Sequence, residues 1–389
     1  MNGSSTFDAF EPDSTAGVVE VVRAAIDGGF ALRTARDVAD KGRTLSDTSR
    51  PVSLGKLVTL TGLKAVVDYP ARDMTITVQA GMPLCELKTI LAEEKQQLPV
   101  DCFDPTMTVG ALVASDLAGP RQYGYGTLRD YVIGIEAVDG HGRTFHAGGR
   151  VVKNVAGYDL CRLMVGSRGS LGILTQLTFK LKPVPEQSDL RTFRFDEVSD
   201  FDAALGRLNV TAATPVMIDF TFASPKLAKH RTGPSSDRKD LPYSLCIGVE
   251  GTEASCKWQI EQLRQDCAGG EEIDFPGSPG WSIAQHCRSS GYGWMKGDVQ
   301  IRTLPSKLVA VATELSQRRY STQGHAGNAI LFAGDEVGEG QVRAVCEEVV
   351  AKHGGTVSEW DVDHPAKATD PLSTRLRATF DPHSVFLAE

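Results

Sequence analysis

Lys153-Asn154-Val155-Ala156-Gly157-Tyr158-Asp159-Leu160, followed by Gly166-Ser167-Arg168-Gly169-Ser170-Leu171-Gly172-Ile173, is the stretch that decides the fold. Glycines at 166, 169 and 172 lead directly into Ile173 to Leu181, which alternates apolar and polar residues as a half-buried strand does. Lys182-Pro183-Val184-Pro185 then stops it and marks the best domain boundary in the chain. No Walker motif and no GxGxxG occurs in this stretch, so neither the P-loop nor the Rossmann mechanism applies. Without further information the glycines read either as a phosphate-approaching loop or as a tight turn before a strand.

Working outward, strand and helix patterns mix without a regular βαβ alternation. Thr15 to Ile26 carries Val18, Val22, Ala25 and Ile26 at helical spacing, and Asp27-Gly28-Gly29 stops it. Phe30 to Arg33 is a candidate short strand. Asp73 to Ala80 places Met74, Ile76, Val78 and Ala80 on one face and Thr75, Thr77 and Gln79 on the other, a half-buried strand. Pro83 opens a helix with Leu84, Leu87, Ile90 and Leu91 on one stripe. Tyr131 to Val138, the turn Asp139-Gly140-His141-Gly142 and Arg143 to Ala147 form a hairpin. A new pattern of strands and helices starts near Arg191, and Ser224 to Leu241 reads as an exposed loop. The expected fold class is α+β, with domains at 1–185 and 186–389.

Composition narrows the function. Lys and Arg total 41 and Asp and Glu 49, a net charge of -8, which disfavours a nucleic-acid or anionic-membrane surface. No run reaches the ~20 apolar residues of a membrane span. The start, MNGSSTFDAFEPDS, has no basic or apolar segment of a secretory signal. Eight scattered cysteines, none in CxxC and none at cluster or zinc spacing, read as reduced thiols in a cytoplasmic protein.

A second motif precedes the glycine loop. In Thr108 to Arg121, Gly110, Ala114 and Ala118 share one helical stripe, and Ala111, Ser115 and Gly119 lie beside it. A face without large side chains admits a flat or phosphorylated ligand, or close packing of helix on sheet. On the ligand reading, bulk at Gly110 lowers cofactor content more than stability; on the packing reading the order reverses.

Three segments together, DPTMTVGALVASDLAGPRQYGYGTLRDYVIG at 104–134, KNVAGYDLCRLMVGSRGSLGILTQLTFKLKP at 153–183 and QGHAGNAILFA at 323–333, resemble the FAD-binding PCMH-type (vanillyl-alcohol oxidase-like) flavoproteins, in particular the E subunits of bacterial glycolate oxidases. The resemblance implies an FAD-binding domain of two α+β subdomains over 1–185. It also implies a C-terminal α+β cap over 186–389, with a tail returning to the FAD domain. Carried over by motif, Thr108, Gly110, Ala111, Ala114, Ser115 and Gly119 line the pyrophosphate and flavin. Arg121, Tyr125, Gly126 and Asp130 shape the same wall. By the same resemblance Val132 and Ile173 are expected near the adenine or ribitol side through backbone contacts, Gly172 is a further cofactor-binding position, and Lys153, Asn154 and Tyr158 frame the flavin end. The FAD is expected to be non-covalent, because 36–46 contains no His or Cys. The implied partners are a sister flavoprotein subunit and an iron–sulfur subunit, with a small 2-hydroxy acid as substrate.

Two departures bear on function. The segment Arg36 to Ser46 stands where the family has a glycine-rich pyrophosphate loop, yet it holds one glycine and several charges. The family's hydroxy-acid-oxidising members carry GHxGDGNxH and GGxxxGEHG in the cap, whose histidines help bind a metal and the substrate. This chain keeps Gly324-His325-Ala326-Gly327, continues Asn328-Ala329-Ile330-Leu331-Phe332, and has Trp360 in place of the second histidine. Three functions therefore compete: an FAD-binding subunit of a glycolate oxidase-type complex, a self-sufficient FAD-dependent dehydrogenase, and an interaction subunit that has lost FAD.

Overall fold

The computed structural model describes residues 9–35, 55–102, 104, 106–117, 119–149, 158–222, 243–273, 283, 299–334, 341–359 and 371–387. The chain divides into two compact units. The first comprises Met1–Leu117, Thr127–Val184 and Val362–Glu389; the second comprises Ala118–Gly126 and Pro185–Asp361. Both are α+β.

The first unit contains a small parallel pair, β1 (Ala31–Thr34) and β2 (Gly55–Val58). Its larger sheet is antiparallel, in the order β3 (Val66–Asp68), β4 (Thr75–Gln79), β8 (Ile173–Lys180), β6 (Val132–Val138) and β7 (Thr144–Gly148). A two-residue ladder joins β5 (Gln96–Gln97) to β9 (Lys182–Pro183). Helix α1 (Thr15–Gly28) is capped by the Ser14 side chain and ends where Gly29 takes a φ of 62°, a turn that a residue with a Cβ rarely makes. Helix α2 (Leu84–Glu93) starts after Pro83 and buries Leu84, Leu87 and Leu91. Helices α3 (Val109–Ser115) and α5 (Leu160–Met164) complete the layer beside the sheet.

In β4 the alternation is present but both faces are buried: Thr75 is 3% exposed and Thr77 2%. The cost of burying a hydroxyl is offset across the strand, where Thr77 Oγ1 meets Thr178 Oγ1 at 3.0 Å. Met74 leaves the strand, since it takes φ 54° to end a 3-10 turn. The hairpin turn at 139–142 is held by Asp139, whose Oδ1 accepts from the backbone of His141 and Arg143, each at 3.0 Å. The Ser224–Leu241 loop lies outside the described residues.

The C-terminal helix α10 (Pro371–Phe380) and the residues after it belong to the first unit. Leu32 on β1 donates to Val385 O at 2.7 Å and accepts from Leu387 N at 3.1 Å, so the C-terminal segment runs parallel to β1. The buried Asp381 carboxylate accepts from the amides of Val385 and Phe386 at 2.7 and 2.9 Å and closes this turn.

The second unit is built on an eight-stranded antiparallel sheet. Its order is β13 (Glu271–Ile273), β10 (Gln187–Phe195), β12 (Tyr243–Gly251), β11 (Met217–Phe222), β15 (Ser321–His325), β16 (Ile330–Gly334), β14 (Val299–Arg302) and β17 (Thr356–Glu359). Helices α6 (Val198–Leu208), α7 (Glu253–Asp266), α8 (Leu308–Gln317) and α9 (Val342–His353) bury their apolar stripes in one core with this sheet. Phe201 sits at its centre, edge-on to Phe222 at a centroid distance of 4.9 Å. The short helix α4 (Gln122–Tyr125) also belongs to this unit.

Helices α8 and α9 are tied by charge. Glu314 accepts from Lys352 Nζ at 2.8 Å, His353 Nε2 at 2.7 Å and Arg318 Nη2 at 2.9 Å. These hydrogen bonds, led by Lys352 and His353, draw its carboxyl down to about 2. A depressed carboxyl stabilises the fold at pH above its unfolded value of 4.5, and the contribution disappears as pH falls through the folded value. Urea midpoints should therefore drop between about pH 4.5 and pH 2, and Glu314→Gln should flatten that part of the profile. An unchanged profile in the variant would remove this pair from the acid response.

Candidate functional site

The glycine loop is fastened to the end of α3. Gly166 N donates to Val113 O at 3.0 Å, and Arg168 N donates to Ala114 O at 2.8 Å. Both carbonyls are among those a helix C-terminus leaves without an intrahelical partner. The clamp needs unusual backbone: Gly166, Arg168 and Gly169 take φ of 79°, 50° and 75°, and Asp116 at the end of α3 takes 53°. A Cβ built on Gly169 points at Thr34 Oγ1, 3.6 Å away, so the loop lies at the C-terminal end of β1. Arg129 Nε lies 3.7 Å from Asp116 Oδ2, on the same loop cluster.

The start of α3 is equally committed. Thr108 is its N-cap, with Oγ1 accepting from Ala111 N at 3.2 Å. Gly110 N donates to Ala80 O at 2.8 Å, and a Cβ on Gly110 lies 2.9 Å from both Ala80 O and Ala80 Cβ. The glycine is thus required by close approach of α3 to the end of β4, as the packing alternative for the small-residue stripe expects. Gly172 has a similar reason: its Cβ would sit 2.8 Å from Val138 O.

Thr108, Gly110, Ala111, Ala114 and Ser115 therefore share one short helix, and the loop clamped on its end runs through Gly172 into Ile173. Val132 is not with them. Ile173 pairs with Val138 and Val132 with Phe179, so the two lie at opposite ends of the ladder, about 20 Å apart at 3.3 Å per residue. Asp130 is used locally, its Oδ2 accepting from Thr127 N at 2.9 Å. Tyr158 is 96% exposed. Lys153, Asn154, the 36–46 segment and Trp360 lie outside the described residues.

Gly119, Arg121, Tyr125 and Gly126 belong to the second unit. There they meet a residue that motif reading did not nominate, Glu250 at the end of β12. Arg121 Nη1 donates to Glu250 Oε1 at 3.1 Å, Tyr125 OH to Oε2 at 2.5 Å, and Ser188 Oγ to Oε1 at 3.3 Å. The Glu250 side chain is 4% exposed and that of Arg121 12%. Removing one member of so buried a pair costs about 3–5 kcal/mol, because the other charge stays behind.

His325 is also paired. Its Nδ1 lies 2.8 Å from Asp219 Oδ1, its register partner across β11 and β15, and both residues are buried. With the carboxylate as acceptor, Nδ1 carries the proton. Phe332 stands edge-on to the ring at 5.9 Å. The described residues contain no group of three His, Cys, Asp or Glu able to hold a metal ion. Glu250 and Asp219 share one sequence signal, each being the one acid in a largely apolar strand, Tyr243–Gly251 and Met217–Phe222.

The first unit fits a bound dinucleotide on two observations. The loop from 166 to 169 offers left-handed backbone, and Ser167 Oγ in it is buried with no hydrogen-bond partner among the described residues. A buried hydroxyl without a partner is rare and calls for an explanation, of which a bound ion or ligand is one.

Comparison with known proteins agrees. Residues 9–148 match the FAD binding domain family. The chain is 36% identical over 227 residues to glycolate oxidase subunit GlcE of Escherichia coli (strain K12), covering 58% of this chain and 57% of that protein. It is 33% identical to the mitochondrial D-lactate dehydrogenase [cytochrome] of Arabidopsis thaliana, covering 72% of this chain and 51% of that one. It is 29% identical to glycolate oxidase subunit GlcD of Bacillus subtilis (strain 168), covering 60% and 50%. The chain thus spans about half the length of the curated relatives it matches. Its fold is that of an alkyldihydroxyacetonephosphate synthase structure, with a TM-score of 0.72 at 17% identity over 97% of this chain and 75% of that one. Sequence motifs and family match thus agree that residues 9–148 are an FAD-binding domain of the PCMH type.

Proposed function

We propose that this protein is the FAD-binding subunit of a glycolate oxidase-type complex, which oxidises glycolate or a similar 2-hydroxy acid to the 2-oxo acid. The observation that carries the reading is the glycine loop clamped on α3, immediately downstream of the matched FAD-binding domain, in a chain that resembles glycolate oxidase subunits. FAD, when bound, supplies a two-electron acceptor for the substrate. The Ser167 hydroxyl, buried and without a partner among the described residues, is the loop's group for its diphosphate, and the α3 segment from Thr108 to Ser115 lies along it. The electrons pass to a partner, with a sister flavoprotein subunit and an iron–sulfur subunit as the expected companions, in the cytoplasm. No helix among the described residues is long and apolar enough to cross a membrane.

A second reading, a self-sufficient 2-hydroxy-acid dehydrogenase, is favoured by the buried Asp219–His325 pair and by the resemblance to D-lactate dehydrogenases. Glycolate-dependent dye reduction by this chain, alone and with a GlcD-like chain, separates the two. Activity only in the mixture supports the subunit reading. The flavin is non-covalent on this proposal, so acid precipitation should leave the yellow colour in the supernatant. Colour retained in the pellet would show attachment, and a colourless native protein that takes up no added FAD would overturn the cofactor assignment.

A further inference from the structure

We infer that the second unit carries a binding site of its own for a small 2-hydroxy carboxylate, in which His325 Nε2 accepts from the hydroxyl and Arg302 holds the carboxylate. The inference rests on the proposed function for the identity of the acid. Every residue named for the site lies within Pro185–Asp361 of that unit. Helices α6 to α9 cover one face of the eight-stranded sheet, where Ile218, Phe220, Ile301, Leu331 and Ala333 join their core. Side chains alternate along a strand, so Asp219, Arg302, Ile330 and Phe332 stand on the other face. Register places them in two rows. One runs from Asp219 on β11 through His325 on β15 and Ile330 on β16 to Arg302 on β14. The next runs from Gln323 through Phe332 to Gln300. Register partners share a face, which brings His325 onto the same one.

Two groups in the first row are open to a ligand. His325 carries its proton on Nδ1, against Asp219 at 2.8 Å, so Nε2 presents a lone pair. That nitrogen is buried with no hydrogen-bond partner among the described residues, in a side chain only 8% exposed. A buried acceptor of this kind costs free energy until something donates to it. Arg302 is exposed, and its Nε donates to Gln300 Oε1 at 3.4 Å. No carboxylate pairs with it among the described residues, whereas Arg191, Arg194, Arg264 and Arg318 of the same unit are all paired. Both side chains lean toward the Phe332 row. The imidazole stands edge-on to the Phe332 ring at 5.9 Å, and Arg302 reaches Gln300, the register partner of Phe332. His325 and Arg302 are two strands apart, about 10 Å between backbones. A short hydroxy acid with a hydrogen bond of ~2.8 Å at each end bridges a gap of that order. Asp219 is the positioning residue, because it fixes the tautomer that leaves Nε2 as acceptor. Arg302, being exposed, holds the acid loosely, so binding by itself supplies no fast oxidation.

The test is calorimetric titration of the full-length chain with glycolate and with acetate, under anaerobic conditions. Acetate presents the same carboxylate without the hydroxyl. The wild-type chain should bind glycolate about tenfold more tightly, the scale of one hydrogen bond. Arg302→Gln, at an exposed position, should weaken both acids about tenfold and keep their ratio. Asp219→Asn should weaken glycolate alone and bring the ratio toward one, which a purely structural role would not do. If Asp219→Asn fails to fold, nitrogen NMR of the wild-type imidazoles carries that arm: the unprotonated Nε2 signal of His325 should shift with glycolate and stay with acetate. Equal wild-type affinity for the two acids, unchanged affinity in Arg302→Gln, an unchanged ratio in Asp219→Asn or an unmoved Nε2 signal would each overturn the inference. So would the absence of saturable glycolate binding. The proposed function is decided separately, by dye reduction in the mixture, which succeeds where the sister chain holds the substrate.

Discussion

A chain carrying leucine at position 110 should accumulate little folded protein. The reason lies in one direction in space. Gly110 is buried in the first turn of α3, and a Cβ there would lie 2.9 Å from the Ala80 carbonyl oxygen and 2.9 Å from its Cβ. Backbone cannot swing aside as a flexible side chain can. The Gly110 N–H is also bonded to that carbonyl at 2.8 Å, so moving the helix away breaks the contact that seats it. Overpacking of this kind costs about 3 kcal/mol, which lowers the folded-to-unfolded ratio by more than a hundredfold. Gly110→Ala should cost less and Gly110→Leu the full amount. Urea melts measure the loss, and flavin-to-protein ratios on the same samples read its origin. Folded molecules that survive should still carry FAD. A normal melt with lost flavin would restore the ligand reading of this glycine, which the small-residue stripe expects and the Cβ direction opposes.

Glycolate should reduce the flavin of the isolated chain slowly, on the proposed subunit reading. Oxidation requires a base for the hydroxyl proton and a fixed cation for the carboxylate. From sequence, His325, Arg121 and Arg129 are the available groups. In the structure the two cations are engaged, Arg121 by Glu250 at 3.1 Å and Arg129 beside Asp116 at 3.7 Å, while His325, bonded to Asp219 through Nδ1 at 2.8 Å, keeps Nε2 without a partner among the described residues. Arg121 in particular has its charge neutralised by a buried carboxylate, so it offers little to a second anion. Positioned acid–base help is worth ~10²–10⁴-fold in rate, and the isolated chain should fall short of the assembled complex by that order. Anaerobic bleaching of the flavin with millimolar glycolate, with and without the sister chain, makes the measurement. Complete reduction by this chain within seconds would favour the self-sufficient dehydrogenase and assign the proton to His325.

Local pattern decided several elements of the first unit, and sequence alone was enough to read those. Helix α1 ends at the glycine pair that stops its stripe, because a left-handed C-cap is a local requirement. Helix α2 starts at Pro83, and the 131–147 hairpin closes over Asp139, whose side chain bonds amides two and four residues on. The α+β class and the FAD-binding motifs follow from such short-range signals. What only the tertiary structure decided was direction and partnership. Periodicity could not say whether Gly110 faces a ligand or Ala80, because both demand a small residue. Nor could it say that Val132 and Ile173 lie at opposite ends of one ladder, since register joins strands far apart in the chain. Glu250 and Asp219 remained hidden for the same reason. A carboxylate's partner is chosen by position in space: Arg121 lies 129 residues before Glu250, and His325 lies 106 residues after Asp219.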